Sequence, residues 1–391
     1  MRGRTLQASI VAWVLFLGLA AVLEAAQGQL PDFTKAAQGS RASVVLVEGI
    51  QESPIFPGQK KIVSNTGFFV GSDGQVLTSL LAVSGCSALR VQTTDGRTSP
   101  ARVKAFDQAS GIALLETDLK GTVPLEFGEA APKPGDWALA VYGVRSPEGQ
   151  VNIALQPGLV SSNDVSLKLF GVRWDGLLAG DFCVRPGCAA APILDVNGRL
   201  AGAVIAVSPH SEGTACCYVL PTKGLKSIVS DLMQGKSKQL GWLGLAVARS
   251  GDKEGLSVAG VLEGSPGHRV GIQPGDVLLE IDGEVISEPL VFESKVTQKA
   301  PGSLVKVALL RGGEVKTAEI EVGARPLLIA RFPAPMRSEI RFYREFFTTV
   351  PDADVQALQE NIQQLQREND ELRAHLVELE KRLHEMEKGR K

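Results

Sequence analysis

The chain has 391 residues, 44% of them hydrophobic, which is enough material for two or three domains with cores of their own. A formal net charge of -2, without any basic stripe carrying interleaved aromatics, gives no reason to expect a nucleic-acid partner. With four His and five Cys in the whole chain, acid–base, thiol and metal chemistry have few residues to draw on, and neither a cofactor nor a metal is expected.

The N-terminus is basic over Met1–Arg4, apolar over Ile10–Leu23 and small-residue rich after Glu24, which predicts a secretory signal over residues 1–26 and a periplasmic or extracellular protein. The apolar run falls short of the ~20 residues of a spanning helix, so cleavage is expected. Glu24 makes an imperfect cleavage site, and an uncleaved N-terminal anchor is the alternative.

From about Ala42 to Tyr218 short apolar runs alternate with Gly, Pro, Asn and Asp turn signals. Ser43–Glu48, Thr66–Val70, Ala101–Ala105, Trp137–Tyr142 and Leu200–Val207 are strands of a sandwich or barrel on this pattern. Leu225, Ile228, Val229 and Leu232 then recur at helical spacing and predict a packing helix that closes the unit.

Within this region Gly187-Cys188-Ala189-Ala190-Ala191-Pro192-Ile193 resembles the nucleophile loop of trypsin-like serine proteases, which normally reads Gly-Asn-Ser-Gly-Gly-Pro-Leu. Thr66-Gly67-Phe68-Phe69-Val70, Ser72-Asp73-Gly74 and Thr78-Ser79-Leu80-Leu81-Ala82-Val83 resemble the segments leading to the family's histidine. Ser110-Gly111-Ile112-Ala113-Leu114-Leu115 is similar to the segment carrying its aspartate. Together with the domain that follows, these motifs resemble the HtrA (Deg) family of protease-plus-PDZ proteins. The resemblance implies two six-stranded β-barrels over residues 30–236, with Tyr218-Val219-Leu220-Pro221 as a wall of the specificity pocket.

It also implies that all three triad positions are replaced, by Leu81, Gly111 and Ala189, so no catalytic residue is assigned. A Ser hydroxyl needs an imidazole to take its proton and the imidazole needs a carboxylate to hold its tautomer. His210, in a Pro-Ser-Gly-rich loop, is the only histidine of the region and reads as a solvated loop residue. The oxyanion hole would use the amides of Gly187 and Ala189, and Ala190 and Ala191 are expected to restrict left-handed backbone there. Cys188 is the one alternative nucleophile, one residue before the nucleophile position and with no base at Leu81. Cys86, Cys183, Cys188, Cys216 and Cys217 favour pairing in an exported protein; their connectivity stays open and their odd number leaves at least one out.

Residues 237–325 resemble the PDZ domain of that family. Gly241-Trp242-Leu243-Gly244-Leu245 matches the loop that receives a peptide's terminal carboxylate, and Ser265-Pro266-Gly267, Val270–Leu278 and the Ile281-Asp282-Gly283 turn follow in order. The peptide-binding residues implied are Trp242, Leu243, Gly244, Leu245 and, on a helix around Phe292–Gln298, Val296; core packing is the alternative for Leu245 and Val296. Residues 326–351 are a linker with an aromatic cluster, Phe342, Tyr343, Phe346 and Phe347.

The last segment, 352–390, carries Val355, Leu358, Ile362, Leu365, Asn369, Leu372, Leu376, Leu379, Leu383 and Met386 three and four apart, a heptad seam. Leu at most d positions and Asn369 at an a position predict a parallel dimer. Glu368–Arg373, His375–Glu380 and Arg382–Glu387 are the matching flanking pairs. A single amphipathic helix lying on the body is the alternative. The functional expectation is an exported HtrA-like pseudoprotease that binds peptide or protein C-termini as an adaptor, scaffold or regulator and pairs into a homodimer. A regulatory subunit of an active HtrA-family protease, or an endopeptidase using Cys188, are the alternatives.

Overall fold

The computed structural model describes residues 31–52, 60–182, 187–209, 215–250 and 254–326. The expected signal segment, Cys183, His210, the aromatic linker and the heptad seam lie outside the described residues.

The first barrel is built from β1 (Val44–Glu52), β2 (Lys60–Phe69), β3 (Val76–Ser79), β4 (Cys86–Thr93), β5 (Thr98–Asp107) and β6 (Ile112–Thr117), and closes in the order β1-β2-β3-β6-β5-β4. A helix α1 (Thr34–Ser40) precedes it, and a one-turn helix α2 (Leu80–Val83) follows β3 directly. The second barrel comprises β7 (Trp137–Arg145), β8 (Val151–Leu169), β9 (Val172–Gly180), β10 (Pro192–Leu194), β11 (Leu200–Pro209) and β12 (Ala215–Pro221), closing as β10-β11-β12-β9-β8-β7.

Period-two alternation explains how one sequence fills both the barrels and the seam between them. Phe69 points into the first barrel with Val45, Val76 and Leu115, while its neighbour Phe68 faces the layer between barrels. On β7, Ala138, Ala140 and Tyr142 fill the second barrel and Leu139 and Val141 face that same intervening layer. Strands buried on both faces therefore read as continuous apolar runs. Helix α3 (Thr222–Met233) buries Leu225, Val229 and Leu232 against the seam, one helical stripe, with Ile228 at its edge. It stops where Gly235 turns left-handed (φ 78) and its amide caps the Leu232 carbonyl at 2.9 Å.

The second unit is a sheet ordered β14-β15-β16-β18-β19, from β14 (Leu245–Arg249), β15 (Leu256–Val261), β16 (Val277–Ile281), β18 (Leu304–Arg311) and β19 (Glu314–Glu321). β17 (Glu284–Val285) pairs with β16 through a tight turn in which Asp282 (φ 51) and Gly283 (φ 80) are both left-handed, the geometry that Asp-Gly favours. Helices α4 (Pro266–Arg269) and α5 (Pro289–Thr297) flank the sheet, and α5 begins three residues before the helix read from the sequence. The short ribbon of β13 (Gly241–Trp242) with β20 (Gly323–Ala324) brings the incoming and outgoing chain together. Leu240, just before it, is buried in the inter-barrel layer and so roots the second unit in the first.

Candidate functional site

The cleft between the barrels is assembled by backbone. β3 ends at Ser79, the chain turns into α2, and the Leu80 amide donates to the Gly111 carbonyl at 2.8 Å. Asp107 shapes the turn that delivers Gly111, its Oδ1 accepting the amides of Ala109 (2.8 Å) and Ser110 (3.4 Å). Burial pushes this carboxyl above its ordinary value, against the charge of Lys238 and the two amides. Asp107 was not singled out in the sequence, although it sits four residues before the aspartate position; its bonds to amides 109 and 110 give it a structural task.

Asn65 on β2 ties the histidine-side segment to the nucleophile-side loop. Its Nδ2 donates to Thr78 Oγ1 at 3.4 Å and to the Ala189 carbonyl at 3.0 Å, and the Thr66 amide reaches the Gly187 carbonyl at 3.4 Å. Leu81, Gly111 and Ala189 lie on the segments tied together by these bonds, and each is half-buried. Gly111 has φ 70, a left-handed backbone that glycine adopts without steric cost. The expected restriction at Ala190 does not hold as stated. Ala190 itself takes φ 59, because its amide bond to the Val204 carbonyl (2.8 Å) and the Ala191 bond back to Cys188 (2.8 Å) fix the loop. The alanine bears the strain of a geometry suited to glycine.

Cys188 is 7% exposed and packs in the second barrel with Phe182, Val204 and Cys217. Cys216 is partly exposed, and burial pushes its thiol upward, away from the thiolate. Among the described residues the histidine is His268 on α4, in the second unit, where Nδ1 accepts the Gly264 amide at 3.3 Å.

One electrostatic cluster beside the cleft left no local sequence signal. Glu48 on β1, its side chain 5% exposed, accepts from Arg90 Nε at 2.7 Å and Arg145 Nε at 3.1 Å, joining the first barrel to β7 of the second. Burial opposes its ionisation, but the hydrogen bonds from Arg145 and Arg90 outweigh that and hold the carboxyl below its ordinary value.

The second unit presents a groove between the edge strand β14 and α5. Trp242, Leu243, Gly244, Leu245, Val247, Leu290 and Val296 line it, enclosing about 120 Å³. The carbonyls of Leu243 and Gly244 are bonded inward to the amides of Gly267 (2.8 Å) and Leu262 (2.9 Å). In a planar trans peptide the following N–H points the opposite way, so the amides of Gly244 and Leu245 are directed to the groove. Gly244 is required at this point: φ is 75, and a Cβ would lie 2.1 Å from that of Ser265. Leu243, Leu245 and Val296 serve two purposes at once, since they belong to the buried core of the unit and also wall the groove. Glu293 and Arg325, at the same wall, went unnoticed in the sequence because neither lies in a motif.

Residues 65–202 match the trypsin-like peptidase domain family and residues 241–322 the PDZ domain family. The first unit is a trypsin-like peptidase domain and the second a PDZ domain. A Rhizobium meliloti protein named as a DegP-like periplasmic serine endoprotease is 29% identical over 287 residues, covering 70% of this chain and 56% of its own length. A Synechocystis protein named as serine protease HhoB is 24% identical over 296 residues, covering 71% of this chain and 70% of its own. The chain thus spans little more than half of the Rhizobium relative. Among solved structures, the HtrA-type protease AlgW with a decapeptide superposes with a TM-score of 0.51 at 23% identity, over 75% of this chain and 99% of that one. A serine endoprotease from Yersinia pestis gives 0.52 at 20% identity, over 76% and 100%. At this identity the likeness speaks for the fold.

The PDZ domain is fastened to the peptidase domain at the end of its groove. Gln108 donates from Nε2 to the Arg325 carbonyl (3.0 Å) and accepts the Leu240 amide at Oε1 (2.9 Å). The turn between β8 and β9 completes the contact. The Arg325 guanidinium lies over the Phe170 ring at 5.8 Å, and Gly171 abuts Glu293 and Thr297 of α5 so closely that an added Cβ would lie 2.7 Å from Thr297 Oγ1. Among the described residues no helix is long and apolar enough to cross a membrane.

Proposed function

We propose that this chain is a non-catalytic protein of the HtrA plan: an exported adaptor, scaffold or regulator that binds peptide tails in its PDZ groove and does not cleave them. The observation that carries the reading is the residue type at three positions. By the resemblance, Leu81, Gly111 and Ala189 stand where a base, its orienting carboxylate and a nucleophile would be needed, and none of the three can take or give a proton. The burial of Cys188 in the barrel core favours a packing role for that residue.

Peptide binding is supported by the edge strand, to which a ligand adds as a further strand, and by an apolar groove ending in outward amides. A single added strand corresponds to micromolar affinity, roughly -8 kcal/mol. Export is supported by the N-terminal segment and by relatives named as periplasmic. The heptads between Val355 and Met386 support a parallel dimer that presents two grooves together, and an active HtrA-family protease is one candidate partner.

The test is hydrolysis of dye-labelled casein together with reaction of a fluorophosphonate serine probe. Neither should exceed background, and Ala189→Ser alone should remain silent because Leu81 supplies no base. Cleavage that disappears in Cys188→Ala would return the protein to the enzymes.

A further inference from the structure

Arg325 is an unusual residue to find in the wall of an apolar groove. Its side chain is 6% exposed, and its backbone is fixed on both sides by Leu240 and Gln108. These bonds fix the Arg325 backbone at the junction of the two domains. The guanidinium charge is met by Glu293 Oε1 at 3.1 Å and by the face of Phe170. Glu293 is itself 31% exposed, so water already competes for the carboxylate in this pair.

Position gives the pair its meaning. The last turn of α5, with Val296 and Thr297, closes the groove against Gly241 and Trp242, at the end where the Gly244 and Leu245 amides face in. Arg325 and its partner Glu293 share this groove with the Gly244 and Leu245 amides, its other walls being Leu243, Leu245, Leu290 and Val296. A planar guanidinium fork matches a carboxylate in shape and charge.

We propose that Arg325 reads the charge of the peptide terminus. A tail with an apolar last residue and a free α-carboxylate is received jointly by the loop amides and the Arg325 guanidinium, and Glu293 is the placeholder that the carboxylate displaces. The inference rests on the groove being a peptide site, and it assigns the discrimination between a true chain end and an internal segment to one residue outside the PDZ loop motif. Arg325 does this from the far end of the domain sequence, held in place by Gln108 of the peptidase domain.

The experiment uses the full chain and a fluorescein-labelled decapeptide ending in Ala-Leu-Val, as the free acid and as the amide, read by anisotropy. Unaltered protein should bind the acid about tenfold more tightly than the amide. In Arg325→Gln the acid should fall to the affinity of the amide while the amide stays where it was. Glu293→Gln should tighten the acid about threefold, because the internal competitor is gone, and leave the amide unmoved. A tenfold preference that survives in Arg325→Gln overturns the assignment of Arg325 alone. Equal binding of acid and amide by the unaltered protein overturns the peptide-tail reading of the groove, and this inference with it. Should Arg325→Gln fail to fold, Glu293→Gln decides by itself, and acid binding left unchanged or weakened there sinks the placeholder and its partner.

Discussion

The Glu48 cluster gives the sharpest stability prediction. Glu48→Gln keeps the shape of the side chain but removes the charge that Arg90 and Arg145 share, at N–O distances of 2.7–3.1 Å. Breaking a buried ion pair costs about 3–5 kcal/mol when the stranded charge has no water. Here Arg90 is 50% and Arg145 33% exposed, so both rehydrate in part, and about 2 kcal/mol is the expected loss. For a domain of this size that corresponds to a fall of about 4–8 °C in the melting midpoint at pH 7. The sign with pH follows from the lowered folded-state value of Glu48. Its contribution is present above its unfolded pKa and is lost as pH falls through the folded one, so the deficit of the variant should shrink below about pH 4. Because the arginines act through this carboxylate, the cost of Arg145→Met should also fall in the Glu48→Gln background. Calorimetry at pH 7 and pH 3.5 measures both effects. A loss under about 0.5 kcal/mol at pH 7, or a deficit of constant size across that range, would refute the argument.

In the PDZ domain, Asp276 is 2% exposed at its side chain and takes a two-pronged hydrogen bond from Arg311, which holds its carboxyl below the ordinary value. Asp276→Asn should cost about 2 kcal/mol at pH 7 and flatten the acid limb of PDZ unfolding, followed by urea melts; an unchanged acid limb counts against it. For the heptad segment, full-length protein should sediment as a dimer and a version ending before Asp352 as a monomer. A full-length monomer at micromolar concentration would remove the coiled-coil reading.

What the sequence made legible was local. The β-rich character follows from short apolar runs with turn signals, the choice of two barrels from the motifs that resemble a trypsin-like protease, and Leu225, Val229 and Leu232 from a helical period. The Gly244 loop is readable for the same reason, since the glycine and its apolar neighbours stand together. The rest depends on residues far apart in the chain: Arg145 meets Glu48 across 97 positions, and Gln108 meets the Arg325 carbonyl across 217. No period or spacing marks such pairs, because only the closure of two barrels and the docking of a third unit bring them together. Ala190 was hidden differently. Its left-handed turn is imposed by the Val204 and Cys188 carbonyls, against the preference of its own side chain.

The junction at Leu240, Gln108 and Arg325 also decides where mechanical load goes. A pull on the chain beyond residue 326 reaches Arg325 first, where the Leu240 carbonyl and the Gln108 side-chain amide share it. Leu240 is rooted in the layer between the barrels, so tension passes straight into the peptidase domain. The PDZ sheet hangs off this route as a loop with a pinched neck. A molecule tethered through its C-terminal segment therefore carries load through a residue of the groove wall itself, so tension on the tether and the grip on a ligand meet at Arg325.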